Sequence, residues 1–128
     1  MKKYLLLNNS IRFVALLLIV FSFGHCKKDD TTAVITVVDA VTGVPIVGAN
    51  VTLFVDGDDN SGFFLCDYGY VKEQVFTTNS SGVIKQCFKL PALISVVAIY
   101  SDDNANYTGE GKLNLMEHET TSITIKMN

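Results

Sequence analysis

The stretch Val37–Leu53, V-V-D-A-V-T-G-V-P-I-V-G-A-N-V-T-L, decides the fold. Ile35 and Thr36 just before it, together with Val37 and Val38, are β-branched and favour an extended, pleated chain; Asp39 marks the point where that strand leaves its sheet. Gly43 tolerates positive φ, Pro45 fixes its own φ and donates no ladder hydrogen bond, and Gly48 is a second permissive position. A tight turn must therefore join two strands here. Beyond Gly48 the period is two: Ala49, Val51 and Leu53 point one way, Asn50, Thr52 and Phe54 the other. One face is core and the other mostly polar.

Working outward, turn signals arrive roughly every ten residues, the spacing of a β-sandwich. Strands are predicted at Val34–Asp39, Ala49–Val55, Val71–Thr78, Val83–Leu90, Ile94–Tyr100, Gly111–Met116 and Thr121–Met127, with an eighth at Phe63–Cys66. Asn79–Gly82 closes one hairpin and Glu117–Glu119 links the last pair. No segment after the N-terminal region sustains a helical period. The expectation is an all-β chain forming one sandwich of seven to eight strands.

The run Val37, Asp39, Thr42, Gly43, Pro45, Ile46, Gly48, Ala49, Val51, Leu53 resembles the opening of the carboxypeptidase regulatory-like domains, a branch of the transthyretin-like sandwiches. Thr77, Thr78, Asn79 and Gly82 are similar to that family's T-x-(D/N)-x-x-G hairpin, Leu90 and Pro91 precede the strand Ile94–Tyr100 as they do there, and the alternating strand Thr121–Met127 ends the match. The resemblance implies a prealbumin-like, Greek-key sandwich over 33–128. It specifies a fold and not an activity.

Residues 1–25 behave differently from the rest. Lys2, Lys3 and Arg12 form a positive flank, and Phe13–Phe23 is an unbroken apolar run. As a helix that run spans about 16 Å, roughly half of a bilayer's hydrocarbon thickness, so it reads as a signal-peptide core and not as a spanning anchor. Cys26, followed by Lys27, Lys28, Asp29 and Asp30, resembles a lipoprotein signal of the Bacteroidetes type, which implies lipidation at Cys26 and export to the outer face of the outer membrane. Phe23, Gly24 and His25 depart from the usual residues before such a cysteine. Residues 26–32 read as lipidated cysteine and polar tether, and the expected attachment is to the membrane through several acyl chains.

The chain has ten basic and thirteen acidic residues; without Lys2, Lys3 and Arg12 the remainder carries seven lysines against thirteen carboxylates, a net of minus six with no arginine. That balance repels nucleic acid and lacks the bidentate fork used to read it. Catalysis has little to stand on: no nucleophile elbow is present, and His118, between Glu117 and Glu119, reads as a solvated turn histidine. The histidines, arginine and C-terminal motif of the hydrolytic transthyretin-like branch are missing from a chain that ends Ile125–Asn128. The expected class is a non-catalytic module for a glycan or an outer-membrane protein partner, with a fimbria-associated structural subunit as the competing class.

Three groups are candidate sites. Cys66 and Cys87 read as a disulfide in an exported chain, or else as two small buried hydrophobes. Asp56, Asp58 and Asn60 resemble the alternating ligands of a calcium loop, with Gly62 one position late and the flanking helices replaced by strands; the competing reading is a solvated turn, and no other cofactor is suggested. Asp102, Asp103, Asn104 and Asn106 form a second polar loop, able to add ligands only if it folds beside the first. Phe63, Phe64, Tyr68 and Tyr70 make either a carbohydrate-stacking patch or part of the core. Asp30, Thr31 and Thr32 resemble an O-glycosylation acceptor of Bacteroidetes exported proteins.

Overall fold

β-branched residues carry Thr31–Asp39 into β1, the strand about which the others assemble. The protein is described by a computed structural model covering residues 28–58 and 60–128; the signal segment 1–25, Cys26, Lys27 and Asp59 lie outside the described residues. Eight further strands follow: β2 (Asn50–Phe54), β3 (Phe63–Leu65), β4 (Gly69–Val71), β5 (Glu73–Thr77), β6 (Val83–Phe88), β7 (Ala92–Ser101), β8 (Asn106–Leu115) and β9 (Thr120–Met127). One sheet has the order β4-β3-β6-β1-β9 and the facing sheet β5-β2-β7-β8. Among the described residues only β1 and β9 run parallel; the other ladders are antiparallel.

The core lies between the sheets and follows the period of two. Ala33, Ile35 and Val37 of β1 meet Val51 and Leu53 of β2, Ile94, Val96 and Ala98 of β7, Leu113 and Leu115 of β8, and Ile125 and Met127 of β9 in one buried cluster. Ala49, Val51 and Leu53 are fully buried while Asn50, Thr52 and Phe54 face outward, as their alternation requires. The all-β sandwich expected from the sequence is therefore observed.

Three details differ from the sequence expectation. Among the described residues there are nine strands, because the predicted strand Val71–Thr78 bends at exposed Lys72: β4 ends in one sheet and β5 begins in the other. β8 starts at Asn106 and not at Gly111, and its glycines serve the close approach of β9. A Cβ at Gly109 would lie 2.6 Å from the Lys126 carbonyl oxygen, and one at Gly111 2.7 Å from Ile125 Cδ1. Finally, β1 and β2 are not hairpin partners. After a turn capped by Asp39, Pro45 bridges back to Val38 and the chain crosses to the other sheet.

That crossing is fixed by Thr78, which is buried. Its Oγ1 accepts the Ala49 N–H at 2.9 Å and donates to the Ile46 carbonyl at 2.7 Å, while its own N–H donates to the Ala49 carbonyl at 2.9 Å. Gly82, at φ 70°, lies under the same turn, where a Cβ would meet Pro45 Cβ at 2.8 Å and the Val37 carbonyl at 2.9 Å. Replacing the hydroxyl by a methyl keeps the volume and strands two backbone groups. Thr78→Val is expected to lose roughly 2–4 kcal/mol of stability, and Thr78→Ser, which keeps both bonds, about 1 kcal/mol, as read from urea denaturation midpoints.

Candidate functional site

The inward-facing rows of the sandwich leave the core at one end and form a cleft there. Asp39 has the strand parity of buried Val37, Tyr100 that of buried Ala98, and Tyr107 that of buried Leu113, so all three emerge between the sheets. With Thr42, Val44, Pro45, Ile46 and Val47 of the β1–β2 connection and Asp102 of the β7–β8 turn they line a cleft of about 470 Å³. Tyr100 and Tyr107 are paired across the ladder, their ring centroids 6.3 Å apart and inclined at 37°, and both pack on the core. Val41, Val44 and Val47 are exposed around this end.

Both carboxylates are held by their own turns. Asp39 Oδ1 accepts the Val41 and Thr42 N–H groups, each at 2.8 Å, and Asp102 Oδ1 accepts those of Asn104 and Ala105, each at 2.8 Å. The backbone N–H groups of Thr42 and then Val41 hold the Asp39 carboxyl below its usual range. Oδ2 of each carboxylate makes no hydrogen bond to the described residues.

The aromatic group anticipated from the sequence divides. Phe63 is core, packed on Phe88 at a centroid distance of 5.7 Å. Phe64 and Tyr70 face each other across the β3–β4 hairpin at 5.1 Å and are both exposed, and Tyr68 meets Phe76 at 6.1 Å. Tyr70 donates its hydroxyl proton to the Asn60 carbonyl at 2.6 Å, which ties the hairpin to the acidic loop. Cys66 and Cys87 form a disulfide with Cα atoms 5.4 Å apart, stapling this short hairpin to β6, with which β3 shares one ladder pair.

The calcium-like spacing is used otherwise. Asp56 Oδ2 lies 2.6 Å from Lys112 Nζ and accepts the Ser95 hydroxyl at 2.8 Å, so a calcium ion there would have to displace the ammonium. Among the described residues no three histidine, cysteine, aspartate or glutamate side chains converge in a metal-holding group. Nor do the two acidic loops meet: Asp56 is bonded at Ser95, whereas Asp102 follows Ser101, about 20 Å further along β7 at ~3.3 Å per residue.

At that opposite end His118 does more than the solvated turn residue expected of it. At φ 60° it donates its N–H to Thr31 Oγ1 at 3.0 Å, and its Nδ1 lies 2.8 Å from the Asp29 carbonyl. The β8–β9 turn thus clasps the chain as it runs into β1. Thr31 and Thr32 are buried strand residues, which shortens the expected tether and opposes glycosylation of the folded chain at Thr31. Lys28, Asp29 and Asp30 are exposed.

Comparison with protein-family models finds none that matches the chain, and no curated protein matches it. The end cleft was missed in the sequence, although a signal for it exists: Tyr100 and Tyr107 flank the polar turn Asp102–Ala105 at inward parity, where a core row reaches solvent.

Two tests follow from this geometry. Replacing both Cys66 and Cys87 by Ala is expected to remove on the order of 3 kcal/mol and to expose the β3–β4 hairpin to limited proteolysis, read by mass spectrometry of the first cleavage products. The second concerns Asp56, whose carboxyl is held low by Lys112 and then Ser95, while Asp56 raises the Lys112 ammonium. Its contribution is complete above the unfolded carboxyl value of 3.8 and fades as pH falls through the lower folded value; that of Lys112 is complete below 10.5 and fades as pH rises through the higher one. The difference in Tm between the protein and Asp56→Asn should therefore be constant from pH 5 to 9 and shrink at both extremes.

Proposed function

We propose that the chain is an exported lipoprotein, attached through Cys26 and displayed on the outer face of the outer membrane by Lys27–Asp30, whose transthyretin-like, Greek-key sandwich is a non-catalytic binding module. One observation carries the reading: the tether and the cleft lie at opposite ends of β1. The nine residues of Thr31–Asp39 hold them about 26 Å apart at ~3.3 Å per residue. The Asp29 carbonyl is already clasped by His118, so residues 27 and 28 alone separate the acyl-bearing cysteine from the folded body. A sandwich hung this way presents the cleft outward, away from the bilayer.

The side chains gathered in the cleft suit recognition. Two tyrosines, two carboxylates and four apolar side chains share one concave surface, the usual composition of a binding site. All but two of the connections, β3–β4 and β7–β8, pass between the sheets, and β1 is inserted between β6 and β9, which supports the Greek-key assignment. A glycan is favoured as a second ligand class by the exposed Phe64–Tyr70 pair beside the Asn60 loop. The structural, fimbria-associated alternative needs a free strand edge, and β9 is bonded back to β8 at its end by the paired Thr108 and Asn128 backbone groups.

The test is the intact mass and location of the protein in a Bacteroidetes host, with and without Cys26→Ala, combined with protease shaving of whole cells. The expected outcome is a mature chain beginning at acylated Cys26 and removed by external protease, with the variant lost from the membrane fraction. An uncleaved Met1, or a protected chain without lipid, overturns the anchor and display.

A further inference from the structure

We propose that the end cleft takes a basic side chain, arginine or lysine, presented by a protein partner. The inference deepens the binding-module reading and rests on it. The cavity has the features such a side chain requires. Its walls include the Tyr100 and Tyr107 rings, and π-faces attract a guanidinium or ammonium held within about 6 Å of a ring centroid. Its lining includes Asp39 and Asp102 and, among the described residues, no cation. By register Lys126 pairs with Val38 on the outward-facing row of the sheet that bears Asp39, so it cannot neutralise the cleft from within.

The carboxylates are prepared for the task by the fold. Each uses Oδ1 to cap its own turn and keeps Oδ2 without a partner among the described residues. The turns hold the charges in place before any ligand arrives, which lowers the ordering cost of binding. Val44, Pro45, Ile46 and Val47 supply apolar surface for the alkyl stem of an arginine or lysine.

The rim distinguishes a protein from a sugar. Val41 is 93% exposed, Val44 59% and Val47 53%. Exposed Val44 and Val47 in the lining, with Val41 on the adjoining turn, match the apolar surround of a protein–protein hot spot, whereas a saccharide would set hydroxyl groups against side chains that cannot bond them. Charge agrees: the chain from Cys26 onward carries seven lysines against thirteen carboxylates, so a basic partner is attracted.

The fold supplies clean variants. In Asp39→Asn and Asp102→Asn the amide oxygen still accepts the turn N–H groups, so the charge is removed and the loop is kept. The full-length protein, labelled with 3-fluorotyrosine and held in detergent micelles, is titrated with acetyl-Val-Arg-Val-amide, with the neutral citrulline analogue and with N-acetylglucosamine oligomers. Tyr68 and Tyr70 serve as internal controls for the arginine and citrulline probes.

The arginine probe is expected to shift the Tyr100 and Tyr107 resonances with a Kd of about 1 mM or tighter. The citrulline probe should bind roughly tenfold more weakly, and each Asp→Asn change should weaken the arginine probe by about fivefold. Equal binding of the arginine and citrulline probes overturns the proposal. Shifts of Tyr100 and Tyr107 by the saccharide alone overturn it too, while leaving a binding module in place; shifts of Tyr68 and Tyr70 alone move the site to the hairpin. No response to any probe at 10 mM overturns the cleft as a site for a basic side chain, whatever the location experiment gives.

Discussion

The hydroxyl of Thr78 is the contact on which the far end of the molecule depends. It joins the β1–β2 connection to the β5–β6 turn by satisfying one donor and one acceptor that the crossing between sheets leaves without ladder partners. In a buried setting such groups cannot be left to water, so the hydroxyl determines whether the crossing exists in one conformation or several. Asn79 extends the arrangement, its Oδ1 accepting the N–H groups of Ser81 and Val83. These bonds join one wall of the cleft to the β5–β6 turn. The opposite wall is the β7–β8 turn, capped by Asp102 and continued downward by a ten-residue ladder.

The edges of the sheets are managed by different means at different places. β3 and β4 have three residues each, too few to pair stably alone, and the Cys66–Cys87 bond supplies what their single ladder pair with β6 does not. β9 would be a long edge, but Gly109 and Gly111 let it lie against β8, and Asn128 exchanges backbone hydrogen bonds with Thr108. The two sheets therefore approach closure on that side. A strand occupied in this way is a poor template for addition of another chain.

The sandwich was legible because its cause is local: alternation and turn chemistry are written in consecutive residues, and Ala49, Val51 and Leu53 announce their burial by spacing alone. The disulfide was legible as one of two readings from cysteine number and the expectation of export. Sheet membership was not, since the bend at Lys72 and the crossing after Pro45 are set by packing between segments distant in the chain. The same limit hid the partners of charged residues. By its neighbours in sequence Asp56 read as a calcium ligand or a solvated turn residue, and its actual neighbour, Lys112, is brought to it by the β2–β7 and β7–β8 ladders. His118 is exposed at a turn as expected, and only the return of β9 beside β1 places it against Asp29 and Thr31.

The opposition of clasp and cleft follows from the parallel pairing of β1 with β9. Because the last strand runs alongside the first and in the same direction, the β8–β9 turn must lie beside the start of β1, and the C-terminus must lie beside its end. His118 can therefore reach the incoming chain at one end, while at the other the Met127 carbonyl accepts the Ala40 N–H and Asn128 pairs with Thr108. An antiparallel last strand would have put its turn at the Asp39 end and crowded the mouth where Tyr100 and Tyr107 now emerge. A single choice of strand direction thus brings the start of β1 to one end of the sandwich and leaves the cleft open at the other.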